Sequence, residues 1–197
     1  MKRKNISARI RKTQGFINCV GLIDCTLFPL AFSPTLKAED YFTRKVDYAI
    51  KGLFICDAAT KLTWIEMGWQ GSVHIIRVWS NSDIYLSKDK YFNNKEYLRG
   101  DLAFSALSVM VPAFNKGHYS NLSKYKKYYN TKLAKVRIKS EHCGLLKAQF
   151  QHLQGHWWVI QSKHDLDGIL QMTMCVCNFH NLLIDHAIPQ YWLHRVQ

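Results

Sequence analysis

Three acidic side chains stand at positions where an acid is unexpected. Asp24 follows the apolar run Cys-Val-Gly-Leu-Ile, and Asp101 follows Tyr-Leu-Arg-Gly. Glu141 lies in a predicted helix, three residues after Ile138 and four before Leu145, so its side chain leans toward an apolar face. Because a buried carboxylate needs a cation, hydrogen-bond donors or a raised pKa, these acids require compensation. If the fold brings them together, they could hold two hard divalent metal ions.

The residues alone leave a second interpretation open. The three acids are far apart in the chain and form no local motif. Acids at strand ends also cap turns or pair with Lys and Arg, and structural ion pairs perturb carboxylates as active sites do. With a net charge of +13, the chain offers many such partners.

The order of apolar patterns predicts an α/β or α+β layer fold. The first predicted strand ends at Asp24, and a short strand leads into Asp101. A strand is predicted over 16–23, a hairpin over 48–56 and 62–69, a helix over 74–86, short strands over 96–100 and 109–111, a long helix over 129–153 and a buried helix over 169–188.

Size and charge favour one domain with an anionic partner. The chain has 197 residues, of which 48% are hydrophobic, enough to close a single core. Its 27 basic and 14 acidic side chains attract polyanions such as nucleic acid or anionic lipid. The six cysteines lack the spacing of a disulfide framework, which favours a reducing compartment. No membrane span is predicted, because Asp24 interrupts the apolar stretch over 16–32.

Basic residues concentrate in two segments. Residues 1–14 carry six Lys or Arg and no acid, and we expect a basic N-terminal arm before a domain over 15–197. Residues 115–147 carry nine Lys or Arg and one acid. In that segment Lys132, Lys135 and Lys139 form one helical stripe, which is either a solvated face or a phosphate-binding surface.

Several strings resemble, in order, the motifs of one nuclease family. They are 21–26 for I-D-G-T, 41–48 for Y-x-x-R-K-x-x-Y, 68–74 for G-W-P-G-S-x-H-D, 97–101 for Y-L-L-G-D, 129–141 for F-N-x-x-L-x-x-x-R-x-x-x-E, and 179–181 for x-H-N. The chain thereby resembles Harbinger-derived DDE nucleases from Gly15 to its end. The resemblance implies an RNase H-like mixed sheet flanked by helices, a metal-dependent nuclease site and action on DNA in the nucleus.

The resemblance also assigns roles to individual residues. Asp24, Asp101 and Glu141 become the catalytic metal ligands, with Mg²⁺ or Mn²⁺ as the ion. The basic side chains, rather than the resemblance, predict the DNA contacts, with a solvated face as the other interpretation of Arg44 and Lys45 as of the stripe. The expected DNA contacts are Arg44, Lys45, His74, Arg77, Lys132, Lys135 and Lys139. Full-length relatives carry a helix-turn-helix-like region before the nuclease, so we expect a separate DNA-binding partner protein to supply target choice.

Three departures from the family pattern bear on activity. Ile75 replaces an acid after His74, Cys25 replaces Gly after the first aspartate, and Gly144 comes three rather than four residues after Glu141. Two hypotheses follow. One is a metal-dependent endonuclease with weak or absent nicking; the alternative is a catalytically inactive transposon-derived domain that binds DNA or protein.

Overall fold

A computed structural model of the chain describes residues 2–93, 95–104, 106, 108–114, 122–139, 142–156, 159–184 and 186. The strands are β1 (Cys19–Pro29), β2 (Ala49–Cys56), β3 (Leu62–Gln70), β4 (Tyr97–Arg99) and β5 (Met110–Val111). The helices are α1 (Lys2–Gln14), α2 (Ala38–Tyr41), α3 (Ile75–Ser80), α4 (Asp83–Leu86), α5 (Lys88–Tyr91), α6 (Lys124–Lys139), α7 (His142–Gln149) and α8 (Lys163–Ile184), with a 3-10 helix at Gln151–Gln154.

The five strands form one mixed sheet in the order β3-β2-β1-β4-β5. β1 pairs in parallel with β4, and β4 pairs in parallel with β5. A sheet whose neighbouring parallel strands are far apart in sequence, combined with helices, is an α/β architecture. The predicted fold class is therefore confirmed.

The predicted hairpin is confirmed as β2 and β3. A turn joins them, and one carboxylate oxygen of Asp57 accepts hydrogen bonds from the backbone N–H groups of Ala59 (2.7 Å) and Lys61 (3.0 Å). Thr60 adopts a positive φ of 67°. The Asp side chain thus substitutes for backbone partners at a tight reversal of the chain.

The prediction that the first strand spans 16–23 and ends at Asp24 is wrong. Gly15 (φ 76°) and Asn18 (φ 61°) turn the chain, so β1 begins only at Cys19. It then continues to Pro29, because Phe28 beyond the acid is itself buried. Asp24 therefore lies inside the strand.

Two predicted helices are divided in the structure. The helix expected over 74–86 is interrupted at Ser82, where the chain turns between α3 and α4. The long helix expected over 129–153 is found as α6, α7 and the 3-10 helix. The buried helix expected near the end of the chain is α8, whose residues Ile169, Val176 and Cys177 lie in the core.

The chain divides into two compact units. The first contains Met1–Asp24, Ile55–Thr63 and Ile75–Glu141; the second contains Cys25–Phe54, Trp64–His74 and His142–Gln197. In the second unit, buried side chains from β2, α8 and the connecting segments form an apolar cluster of Leu30, Ile50, Ile160 and Ile169. No helix in the described part of the chain is long and apolar enough to cross a membrane.

Candidate active site

Parallel pairing of β1 with β4 brings two of the predicted acids to neighbouring strands. Leu22 pairs with Arg99 in this ladder. Continuing the register by two residues sets Asp24, within β1, beside Asp101, which follows the end of β4. The strand that contains Asp24 and the strand that leads into Asp101 are therefore neighbours in the sheet.

The register places Asp24 on the face of the sheet that Leu22 and Arg99 share. Side chains along a strand alternate between faces, so residues two apart share a face. Asp24 shares the face of Leu22, and Asp101 shares the face of Arg99 if the extended course of β4 continues through Gly100. Both aspartates are half-buried. Two carboxylates on one face of adjacent strands can converge on a common cation.

The chain turns immediately after Asp101. The Asp101 carboxylate accepts a hydrogen bond from the backbone N–H of Ala103 (2.9 Å), which orients the side chain. Gly100 allows the close packing of this turn, since a Cβ atom there would lie 2.7 Å from Cδ2 of buried Phe104. A glycine at this position thus lets the strand end against the core while the acid emerges beside it.

Within the first unit, helix α6 packs on the sheet face that carries Arg99. Its residue Tyr129 contacts Arg99 on β4, and its Leu133 is buried. The third predicted acid, Glu141, lies outside the described residues, two positions after the end of α6 at Lys139. Among the described residues, no group of three or more His, Cys, Asp or Glu side chains could hold a metal ion.

The departures from the family pattern have ordinary local structures. Cys25 continues strand β1 and is not a positive-φ residue, so the backbone there does not demand glycine. Gly144 lies within α7. Leu146 is fully buried, as core packing of this segment predicts, whereas Leu145 and Phe150 are half-buried.

Arg99 is the residue that the sequence analysis missed. Its side chain is 1% exposed, and its three guanidinium nitrogens have no hydrogen-bond acceptor among the described residues. The guanidinium carbon lies 3.2 Å from the centroid of the Phe16 ring and 4.1 Å from that of Tyr129. Stacking on two aromatic rings partly offsets the loss of hydration. The available signal was the motif itself, which has Leu where this chain has Arg99.

The buried guanidinium acts on its neighbours electrostatically. Burial raises the pKa of the Cys19 thiol to about 11, although the positive charge of Arg99 opposes that rise. Burial likewise raises the pKa of Tyr97, and Arg99 again opposes the shift. A fixed positive charge therefore lies on the sheet face that carries Leu22 and Asp24.

The predicted DNA contacts are divided between the units. Arg44, Lys45 and His74 are exposed in the second unit, and Arg77 is exposed in the first. Lys132, in the first unit, is half-buried, with its Nζ 5.0 Å from the centroid of the Tyr128 ring. The side chains of Lys135 and Lys139 lie outside the described part of the structure.

An open basic cavity adjoins α1 in the first unit. It has a volume of about 620 Å³, and its lining includes Lys4, Arg11 and Lys12 from α1 and Lys95 from the loop before β4. Its one acid, Glu96, is 3.6 Å from Arg3 and also accepts a hydrogen bond from the backbone of Asn93. The basic side chains of the lining outnumber this acid, which Arg3 also partly neutralises. The lining therefore carries a net positive charge suited to phosphate.

Residues 23–181 match the protein family described as DDE superfamily endonuclease. No curated protein and no solved structure matches the chain. The matched residues include Asp24, Asp101 and Glu141 and cover most of the sequence. The chain therefore belongs to the DDE superfamily endonucleases.

Proposed function

We propose that this protein is a divalent-metal-dependent DNA endonuclease, with Asp24, Asp101 and Glu141 as the metal ligands. The observation that carries the proposal is the parallel pairing of β1, which contains half-buried Asp24, with β4, which leads two residues later into half-buried Asp101. The family membership and the basic surface are consistent with a DNA substrate.

The residues present fit a hard divalent cation. Carboxylate oxygens are the donors that Mg²⁺ and Mn²⁺ prefer, and one carboxylate oxygen of Asp101 is already oriented by the N–H of Ala103. A bound ion would supply Lewis acidity for activating water and stabilising the leaving 3′ oxygen. Asp24 and Asp101 would hold the ion on one face of the sheet, and Glu141 would complete its ligand set.

Basic side chains of the first unit would bind the DNA backbone. Lys4, Arg11 and Lys12 on α1 lie on a cavity wall, where they can contact successive phosphates. Such contacts position a duplex without reading its sequence. We infer that target choice comes from a separate DNA-binding partner and that the protein acts in the nucleus.

Arg99 favours a second candidate function. Its buried positive charge lies on the sheet face of Asp24, two residues before Asp101, and would repel a divalent cation that approaches these aspartates. In this alternative the protein binds DNA or another protein through the retained fold and does not cleave. The geometry of the aspartates favours the first candidate, and the charge of Arg99 is a reason to expect its nicking to be weak.

Metal binding and plasmid nicking test the proposal together. We expect the protein to bind Mn²⁺ by calorimetry and to nick supercoiled plasmid slowly with Mg²⁺ but not with EDTA. Asp24→Asn and Asp101→Asn should each weaken Mn²⁺ binding at least about tenfold and abolish nicking, because each removes a charged ligand.

Asp165→Asn is the matched control. Asp165 accepts hydrogen bonds from Ser162 at the start of α8, and its replacement should leave Mn²⁺ affinity unchanged. A folded wild-type protein that binds DNA but neither binds Mn²⁺ nor nicks plasmid would overturn the endonuclease proposal and support the inactive alternative.

A further inference from the structure

The first half of α6 combines lysines with tyrosines and has no acid. The helix reads Lys-Tyr-Lys-Lys-Tyr-Tyr-Asn-Thr-Lys from Lys124 to Lys132. Tyrosine is a large side chain that a helix normally uses for packing. Three tyrosines in so basic a segment therefore need separate explanations.

One tyrosine packs inward and two do not. Tyr129 contacts Arg99, and its ring centroid lies 6.3 Å from that of Phe16 and 4.9 Å from that of Phe114. Tyr125 and Tyr128 are instead 86% and 61% exposed. The core thus accounts for Tyr129 alone.

The two exposed tyrosines share one side of the helix with lysines. Positions three and seven residues apart lie on the same face of an α-helix, which places Tyr125, Tyr128 and Lys132 together, with Lys124 beside them. Lys124 is exposed, and the ammonium group of Lys132 lies 5.0 Å from the centroid of the Tyr128 ring. We name these four residues the tyrosine flank.

The base of the tyrosine flank is held rigidly. The Asn130 side chain makes two hydrogen bonds to Phe114, accepting from its N–H (2.9 Å) and donating to its carbonyl oxygen (2.8 Å). Tyr129 and Leu133 anchor the inner side of α6 in the core of the first unit. On an anchored helix the backbone loses little further conformational freedom when a ligand binds, so the entropic cost is confined to the side chains.

We propose that the tyrosine flank binds an unpaired nucleic-acid strand, with bases stacked on Tyr125 and Tyr128 and phosphates held by Lys124 and Lys132. Aromatic rings alternating with cations are how proteins bind single strands without reading sequence. In an intact duplex the faces of the bases are already stacked on one another, so the rings have no base to bind. A protein partner fits less well, since lysine is depleted at the centres of protein interfaces.

This inference deepens the proposed endonuclease function by naming the form of DNA that the first unit prefers to hold. It does not depend on the metal site. A protein that acts on DNA ends or on opened duplex would use such a surface to keep one strand separated from the other.

Fluorescence anisotropy in EDTA tests the inference without any catalysis. The probes are a labelled DNA strand of roughly 15 nucleotides and a duplex of the same length. We expect the double variant Tyr125→Ala with Tyr128→Ala to weaken strand binding about 100-fold, roughly tenfold for each lost stack. Duplex binding should change less than about threefold, because phosphate contacts remain.

Two matched variants identify the cause. Replacing both tyrosines by Phe keeps the rings and should keep strand affinity, whereas replacing both by Leu keeps apolar bulk and should lose it. Phe179→Ala, at an aromatic on α8 that is 57% exposed, should leave strand binding unchanged.

Equal losses for strand and duplex, or unchanged strand binding in the Ala variant, would overturn the inference. Circular dichroism of each variant checks that the helical content of the protein is retained. A wild-type protein that binds the strand through the tyrosine flank but does not nick plasmid would contradict the endonuclease proposal and leave this inference standing. Failure of one proposal is therefore distinguishable from failure of the other.

Discussion

The cores of both units are largely apolar, but they differ at one buried position. The second unit buries Leu30, Ile50, Ile160 and Ile169 against one another. The first unit places the charged side chain of Arg99 at a comparably buried position, between the rings of Phe16 and Tyr129. Apolar burial stabilises a fold directly, whereas a buried cation without an acceptor costs free energy that stacking returns only in part.

The difference coincides with the position of the candidate active site. Arg99 is two residues before Asp101, so the less stable arrangement lies where chemistry is expected. Sites that sacrifice stability are commonly functional sites, and the rest of the fold compensates for them. In this protein each unit has buried apolar side chains, such as Leu98 in the first and Ile50 in the second, that stabilise it.

The largest expected effect comes from damaging the apolar cluster. Ile50→Ala should lower the free energy of unfolding by about 2 to 5 kcal/mol, because it removes a fully buried side chain and leaves a cavity. Urea denaturation measures the change. Ile17→Ala, at a side chain that is 59% exposed, is the control and should change stability by less than about 0.5 kcal/mol. Equal effects at the two sites would contradict the assigned burial.

The next effect concerns a titratable group in the second unit. His156 is buried, its ring nitrogens have no hydrogen-bond partner among the described residues, and burial, aided by neighbouring His152, lowers its pKa to about 4. An unfolded His has a pKa of about 6.5, so the unfolded state binds the proton first as the pH falls. The stability contribution is therefore complete above about pH 6.5 and is lost as the pH falls toward about 4.

This titration predicts a loss of about 2 kcal/mol of stability between pH 7 and pH 5 from His156 alone. His156→Leu should remove that part of the pH dependence, while the exposed control His164→Gln should retain it. Urea denaturation at the two pH values gives the comparison. If the free energy of unfolding of His156→Leu changed with pH in parallel with that of the wild type, the His156 imidazole would not remain neutral in the folded protein.

The smallest expected effect comes from replacing Arg99 by an apolar residue, which makes the core of the first unit resemble that of the second. Arg99→Leu introduces the residue that the family motif has at this position. It should raise the free energy of unfolding by about 1 to 2 kcal/mol, because removing the desolvation penalty of the buried guanidinium outweighs the loss of its stacking on the two rings. It should also tighten Mn²⁺ binding, since a positive charge leaves the face of the aspartates. Arg77→Leu, at an exposed site, serves as the control. An Arg99→Leu variant less stable than the wild type would show that stacking on the rings outweighs the desolvation penalty of the guanidinium.

The regular elements were largely predictable because their signals are local. Alternating apolar residues and the turn at Asp57 identified the hairpin, and the apolar pattern identified α8. The start of β1 was not predictable, since it depends on turns at Gly15 and Asn18 rather than on apolar content. The burial of Arg99 was also missed, because a cation is assigned to the surface unless its packing partners are known.

The sequence by itself determined the residue types, the positive charge and the ordered motifs that identify the family, all of which are properties of the chain before it folds. The tertiary structure decided whether two acids could meet. The ladder of β1 with β4 shifts by one residue between Cys19 and Gly21. Without that irregularity Asp24 would align one position past Asp101 and face the other side of the sheet, because side chains alternate along a strand. Register between distant strands is set by the burial of both faces, which no local pattern contains.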